Sequence, residues 1–176
     1  MYWVFMSYYM VCLTTDNLDD FIGQRGCGYW RASGNSVDRC DYLICTKNKN
    51  GSRTRWDTPD DTHREAFLIL ELNNEKYIES GDRKIITFDR YAHVDPGTVI
   101  SWGGQSPIGY YTQDQLEYEV GSNSKLISLD FEWKQFSNLS LTDKTEELKL
   151  SIKDAKKALA RFYDIDEACI TVTFNV

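Results

Sequence analysis

Ala66-Phe67-Leu68-Ile69-Leu70-Glu71-Leu72 decides the fold. A short, nearly continuous apolar run between polar segments reads as a central strand, buried on both sides. Working outward, Lys76 to Ile78 and Lys84 to Arg90 read as further strands, joined by the turn Ser80-Gly81-Asp82. Upstream, Asp41 to Thr46 and the aromatic, β-branched segment Tyr2 to Met6 are strand-like. Downstream, Thr98 to Trp102 is a further strand candidate, and Leu126 to Trp133 has the alternation of a half-buried one. Ile127, Leu129, Phe131 and Trp133 share one face, and Ser128, Asp130 and Glu132 the other.

Helices are few and short. Thr15 to Ile22 can be capped by Thr15 or Asp16, with Leu18, Phe21 and Ile22 on one face and Gly23, Gly26 and Gly28 ending it. Thr112-Gln113-Asp114-Gln115 is a capping box that opens a helix through Leu116. Strands therefore dominate residues 2 to 133. The expected class is α+β, a curved mixed or antiparallel sheet, barrel-like, rather than a parallel α/β sheet.

The polar, Ser/Thr-rich stretch 137–149 reads as a linker between a domain of residues 1–136 and a small module of residues 150–176. In that module Ile152, Ala155, Ala158, Leu159 and Phe162 line one helix face with Ser151 as cap, and Ala168 to Val176 follows as a strand. The length of 176 residues suits one domain with such an appendage.

A formal charge of −7, from 20 basic and 27 acidic residues, provides no global field for a nucleic-acid backbone, so any such contact must be local. Residues 1–13 carry no basic flank and no cleavage pattern, and they are too short to span a bilayer. The expectation is a cytoplasmic protein without membrane contact, in which the five cysteines are reduced and buried. A structural zinc site is not expected, since only His63 and His93 could join the thiols and neither has finger spacing. Cys40 and Cys45, five apart on one expected strand, should point to opposite faces. The sequon-like Asn50-Gly51-Ser52 and Asn138-Leu139-Ser140 carry no weight in such a chain.

Two stretches bear chemistry. Cys27-Gly28-Tyr29-Trp30-Arg31-Ala32-Ser33-Gly34-Asn35 places an aromatic pair, an arginine and small polar side chains beside glycines. Such groups can stack on a flat polar ring and read its edge. The long loop Lys47 to Glu65 holds Lys47, Lys49, Arg53 and Arg55 just before Trp56, which suits a phosphate backbone and a stacked base. The plainer alternatives are core packing for the aromatics and a solvated loop balanced by Asp57, Asp60 and Asp61.

The order of aromatic strand (Tyr2-Trp3-Val4-Phe5), capped short helix, Gly28-Tyr29-Trp30-Arg31 and then Val37 to Asn48 resembles the start of an EVE domain, within the PUA-like group. Cys40-Asp41 stands where that family has Gly-Asp, and the likeness covers about residues 2–104. It implies a PUA-like, EVE-type mixed β-barrel with short peripheral helices, and a cleft for a modified or flipped base. It carries Trp30, Arg31, Ser33 and Asn35 over as the pocket, with Trp102 as an opposing wall. The segment Leu150 to Phe174 is similar to a terminal module of uncharacterised bacterial proteins, a likeness that brings no activity.

The reading is then non-catalytic recognition of a nucleic acid, with no catalytic residue, metal or cofactor implied. The second reading is an acidic, tyrosine-rich module (11 tyrosines, pI near 4.9) that binds or inhibits a basic protein. The third is a metal-dependent nuclease resembling the PD-(D/E)xK core, with Asp41 and Glu71 converging on one ion. Against it, the lysine position two residues after Glu71 is Asn73, and Lys76 comes three residues too late. A hydrolase pairing Cys27 with His63 or His93 has no support from spacing.

Overall fold

The computed structural model describes residues 7–50, 54–101 and 106–136, all of them within one compact unit, Met1–Ser140. The expected strand at Tyr2 to Met6, the linker 137–149 and the module 150–176 lie outside the described residues. The described elements run β1 (Tyr8–Thr14), α1 (Leu18–Gln24), β2 (Cys27–Trp30), α2 (Gly34–Val37), β3 (Tyr42–Lys47) and β4 (Ala66–Ser80). They continue with β5 (Arg83–His93), β6 (Ile108–Thr112), α3 (Gln113–Val120), α4 (Lys125–Ser128) and β7 (Lys134–Gln135).

The strands form one mixed sheet in the order β2-β5-β4-β3-β1-β6, with β7 added to β5. Only β1 and β3 run parallel; every other pairing is antiparallel. The protein is thus mixed α+β, a sheet curled into a half-barrel with few, short helices. The curl is legible from one contact. Cys27 of β2 lies against Cys12 of β1, although three strands separate β2 from β1 in the sheet.

The run at 66–72 is continuous because both faces of its strand are covered. Leu68, Leu70 and Leu72 point into a core on the inner side of the curl, with Met10, Cys12, Leu43, Cys45, Ile86 and Phe88. Phe21 of α1 completes this core, so α1 plugs the open side of the half-barrel. Ala66 and Ile69 point outward with Tyr9, Val11 and Ile44, under Leu116 of α3 and Leu126 of α4. Strand β1 serves both cores by strict alternation: Tyr9 and Val11 outside, Met10 and Cys12 inside.

Several expectations are corrected in detail. Helix α1 starts at Leu18, capped by Asn17 rather than Thr15 or Asp16, in a capping box with Asp20. The Asn17 amide oxygen reaches the third backbone N–H directly, which the hydroxyl of Thr15 cannot do from outside the turn. Strand β4 does not stop at Leu72. It continues to Ser80 across a bulge in which 73–76 face a single residue of β5, with Lys76 at φ 37°. Leu126 to Trp133 is not a strand. Ser124 caps α4, Leu129 is left-handed at φ 56°, and Trp133 still folds onto the outer core. Alternation marked those residues as half-buried, but Ser124 and the left-handed turn set their backbone. Thr98 to Trp102 contributes only a bridge from Val99 to Glu65 among its described residues. Cys40 precedes β3 and its side chain joins the same inner core as Cys45, so the two do not take opposite faces. The capping box at Thr112 forms as expected and opens α3, which runs on to Val120.

Candidate functional site

The stretch from Cys27 to Asn35 does not gather into a cleft. Gly28 has φ 57°, and a Cβ there would lie 2.7 Å from the Trp30 indole nitrogen. The indole therefore folds back over Gly28, donates its N–H to the Cys27 carbonyl at 3.0 Å, and packs on the inner core. Arg31 is exposed and pairs with Asp82 at 2.9 Å. Ser33 precedes α2 without a side-chain capping bond, and Asn35 accepts from Arg39 only through its backbone carbonyl. Trp102 and Arg53 lie outside the described residues.

The loop after β3 gathers more. Trp56 donates its indole N–H to the Thr14 carbonyl at 3.2 Å and rests on Phe67, with ring centroids 4.5 Å apart. Lys47 sits 5.4 Å from the same ring and pairs with Asp61 at 2.9 Å and Glu65 at 2.8 Å. Burial would pull the Lys47 ammonium down, but its two carboxylates outweigh that and raise it. The Glu65 carboxyl is likewise held below its usual range. Burial opposes this, but Lys47 and the Gly97 backbone N–H, which donates at 2.6 Å, prevail.

Lys49 is turned inward, donating to the carbonyls of Thr58 and Asp61. Arg55 ties the loop to α1 through Asp20 at 3.2 Å. Lys47, Lys49 and Arg55 thus do structural duty first, and of these three Lys47 lines a cavity.

That cavity, of about 430 Å³, is walled by Trp56, Phe67, Leu18 and Pro96 and edged by Lys47, Asn17, Asp19 and His93. It brings together two residues singled out in the sequence, Lys47 and Trp56, with polar groups from α1 and from the end of β5. The α1 contributors and His93 carried no signal in that role. Asn17 is a cap, and His93 ends a strand, paired with Leu68.

Asp41 and Glu71 line a different cavity of about 430 Å³ beside the bulge, together with Lys76, Asn73 and Asp89. The bulge does what the spacing seemed to forbid, and sets the Lys76 ammonium 4.0 Å from an Asp41 oxygen. Lys76 also donates to the Cys40 carbonyl. Both Glu71 oxygens, however, are engaged by Arg90 at 2.5 and 2.6 Å, so the carboxylate faces a cation already.

Among the described residues, the one group of three or more donors close enough to share an ion lies elsewhere, at Cys12, Cys27 and Cys45. The Cys27 sulfur is 4.0 Å from that of Cys12 and 3.8 Å from that of Cys45, and all three are fully buried. Spacing along the chain gave no hint of this cluster, because Cys12 and Cys45 are register partners on neighbouring strands and the curl of the sheet brings Cys27 to them. Neither His63 nor His93 belongs to it.

No helix among the described residues is long and apolar enough to cross a membrane. Compared with known proteins, the chain matches no family model, no curated protein and no solved structure.

Proposed function

We propose that this protein recognises a planar polar ring, an unpaired or modified base of a nucleic acid, in the cleft beside Trp56 rather than around Trp30. The observation that carries the reading is the composition of that cleft. An indole and a phenyl ring form an apolar wall, and an ammonium, an imidazole, an amide and a carboxylate surround it. A base needs a face to stack on and a few donors and acceptors at its edge, and little else. The overall charge of −7 fits recognition of a single base better than tracking of a long backbone. On this reading the curled mixed sheet is a PUA-like, EVE-type barrel, with the ring-binding residues supplied by α1, the β3–β4 connection, the start of β4 and the end of β5.

The test is a low-salt titration of the full chain with single- and double-stranded oligonucleotides, with and without modified bases, followed by tryptophan fluorescence. Saturable quenching that is lost in His93→Ala and Trp56→Phe, and kept in Arg31→Ala, is the expected result. No response to any oligonucleotide overturns the reading.

A second reading has its own observation. Among the described residues, strand β6 is a sheet edge, and Tyr110, Tyr118, Asp114 and Glu119 border a shallow cleft of about 560 Å³ along it, with Tyr118 90% exposed. Aromatic and acidic groups beside an open edge suit a basic protein segment. Complex formation with a basic protein, lost in a Tyr110→Ala/Tyr118→Ala double variant and without any oligonucleotide binding, would favour it.

A further inference from the structure

We propose that Cys12, Cys27 and Cys45 form a buried three-thiol site for a soft, thiophilic trivalent ion, for which arsenite is the probe. The first argument is geometric. Sulfurs each about 2.3 Å from a common centre, the ordinary zinc–thiolate distance, sit about 4.0 Å apart when coplanar with it, and closer when a lone pair makes the centre pyramidal, as in trivalent arsenic. The contacts here are 4.0 and 3.8 Å, and all three sulfurs lie within 4.8 Å of one another. A modest closing of the three sulfurs separates the empty cluster from a loaded one. Pure sulfur donor sets select soft ions.

The second argument is coordination number. Zinc in a structural site takes four ligands. No fourth His, Cys, Asp or Glu joins this group among the described residues. A three-coordinate ion fits the set as it stands.

The third argument is charge. The cluster sits in the inner core among Met10, Phe21, Leu43 and Leu68, and an uncompensated charge there is costly. Three thiolates leave a net negative complex around a monovalent or divalent ion, and a neutral one around a trivalent ion. Arsenite, As(OH)3, reacts with three thiols by exchange. Three As–O bonds break, three As–S bonds form, and each thiol proton leaves with a hydroxide as water. Arsenic stays trivalent, and no charge and no net proton enter the core.

Entry runs through β2. Four residues long, β2 pairs with β5 only at Cys27–Ile86 and Trp30–Lys84, with a register shift between. Among the described residues it is also an edge of the sheet, so it opens locally at lower cost than the central strands. The site is independent of the cleft beside Trp56.

The experiment uses the full chain, reduced and handled without oxygen, titrated with sodium arsenite. Near-ultraviolet sulfur-to-arsenic absorption and the melting temperature are both read. One arsenite per chain with a rise in melting temperature is expected. Cys45→Ala should weaken binding at least about a hundredfold, since it deletes a bond made at the effective concentration of a tethered group. Cys40→Ala should leave binding intact. X-ray absorption at the arsenic edge of the wild-type complex should show three sulfur neighbours and no oxygen, a readout that stands even where a variant fails to fold.

Absence of binding to the folded, reduced chain overturns the proposal, as does binding unaffected by Cys45→Ala. Tighter binding of zinc or of monovalent copper than of arsenite overturns the assignment to a trivalent ion.

Discussion

The two faces of the sheet are built from the same strands, yet they are different materials. The inner face holds Cys12, Cys27, Cys40 and Cys45 with Met10, Phe21 and Phe88, and has α1 as its plug. The outer face holds Tyr9, Val11, Ile44, Ile69 and Ile100, covered by α3, α4 and the segment through Trp133. Among the described residues, the core sulfur therefore lies on the side where the curl brings β2 against β1. The outer face is covered by sequentially neighbouring elements and contains aliphatic and aromatic packing without sulfur among the described residues. The difference teaches that curvature, rather than chain proximity, assembles the unusual chemistry here. Strands β1, β2 and β3 deliver one thiol each to a point none of them could define alone.

The strongest way to break the comparison is to open a cavity on each side in turn. Leu68→Ala and Ile69→Ala remove neighbouring, fully buried side chains from the inner and outer cores. Each should cost about 3 kcal/mol in urea unfolding, the usual range for such deletions. Only the inner one should also raise the rate at which the buried thiols react with a disulfide reagent. Equal thiol protection in the two variants would show that the cores are not separate compartments.

The next largest effect belongs to the Gly28 turn. Gly28→Ala forces a Cβ into the Trp30 indole and imposes a left-handed backbone on alanine. The expected cost is about 1–3 kcal/mol, with a red-shifted tryptophan emission as the indole is displaced. An unshifted spectrum with full stability would mean that the indole does not need the glycine.

Helix α1 joins the inner core to the cleft, and its cap tests that join. Asn17→Ala removes the bond to the Asp20 backbone N–H and should cost about 1 kcal/mol. Because Asn17 also edges the cleft, the same change should weaken any ligand held beside Trp56. Stability lost without any change in binding would detach the cleft from its ligand.

The carboxylates around Lys47 give this side a pH signature. Glu65 and Asp61 have pKa values lowered on folding, so their contribution is complete above the ordinary carboxylate range. It is lost as the pH falls through the folded values. Thermal stability should fall below about pH 4.5, and Glu65→Gln should flatten that fall. An unchanged profile would show that the buried pair carries no net stability.

How much of this was legible in the sequence follows from the range of each interaction. The run from Ala66 to Leu72, the Ser80-Gly81-Asp82 hairpin and the Thr112 capping box depend on neighbours along the chain, and they form as read. The apolar alternation of Leu126 to Trp133 reported burial correctly and backbone wrongly, since burial periodicity does not fix dihedrals. Strand β6 and the four-residue β2 passed unread, because each is a strand only through its partner. Trp30 looked like a stacking platform until Gly28 folded it inward. The thiol cluster was invisible because Cys12, Cys27 and Cys45 meet across a curled sheet.

The smallest expected effect is the most direct check on that lesson. Arg31 was singled out by its place beside Trp30, yet it lies on the surface, 72% exposed, paired with the exposed Asp82. Such a pair is weak because water screens it and two long side chains must be ordered to hold it. Arg31→Ala should therefore shift unfolding by no more than about 0.5 kcal/mol and leave ligand binding beside Trp56 unchanged. A loss of oligonucleotide affinity in this variant would return the site to the Trp30 segment. The indole would then have to leave Gly28 when ligand arrives, and Gly28→Ala would be expected to strengthen binding rather than merely cost stability.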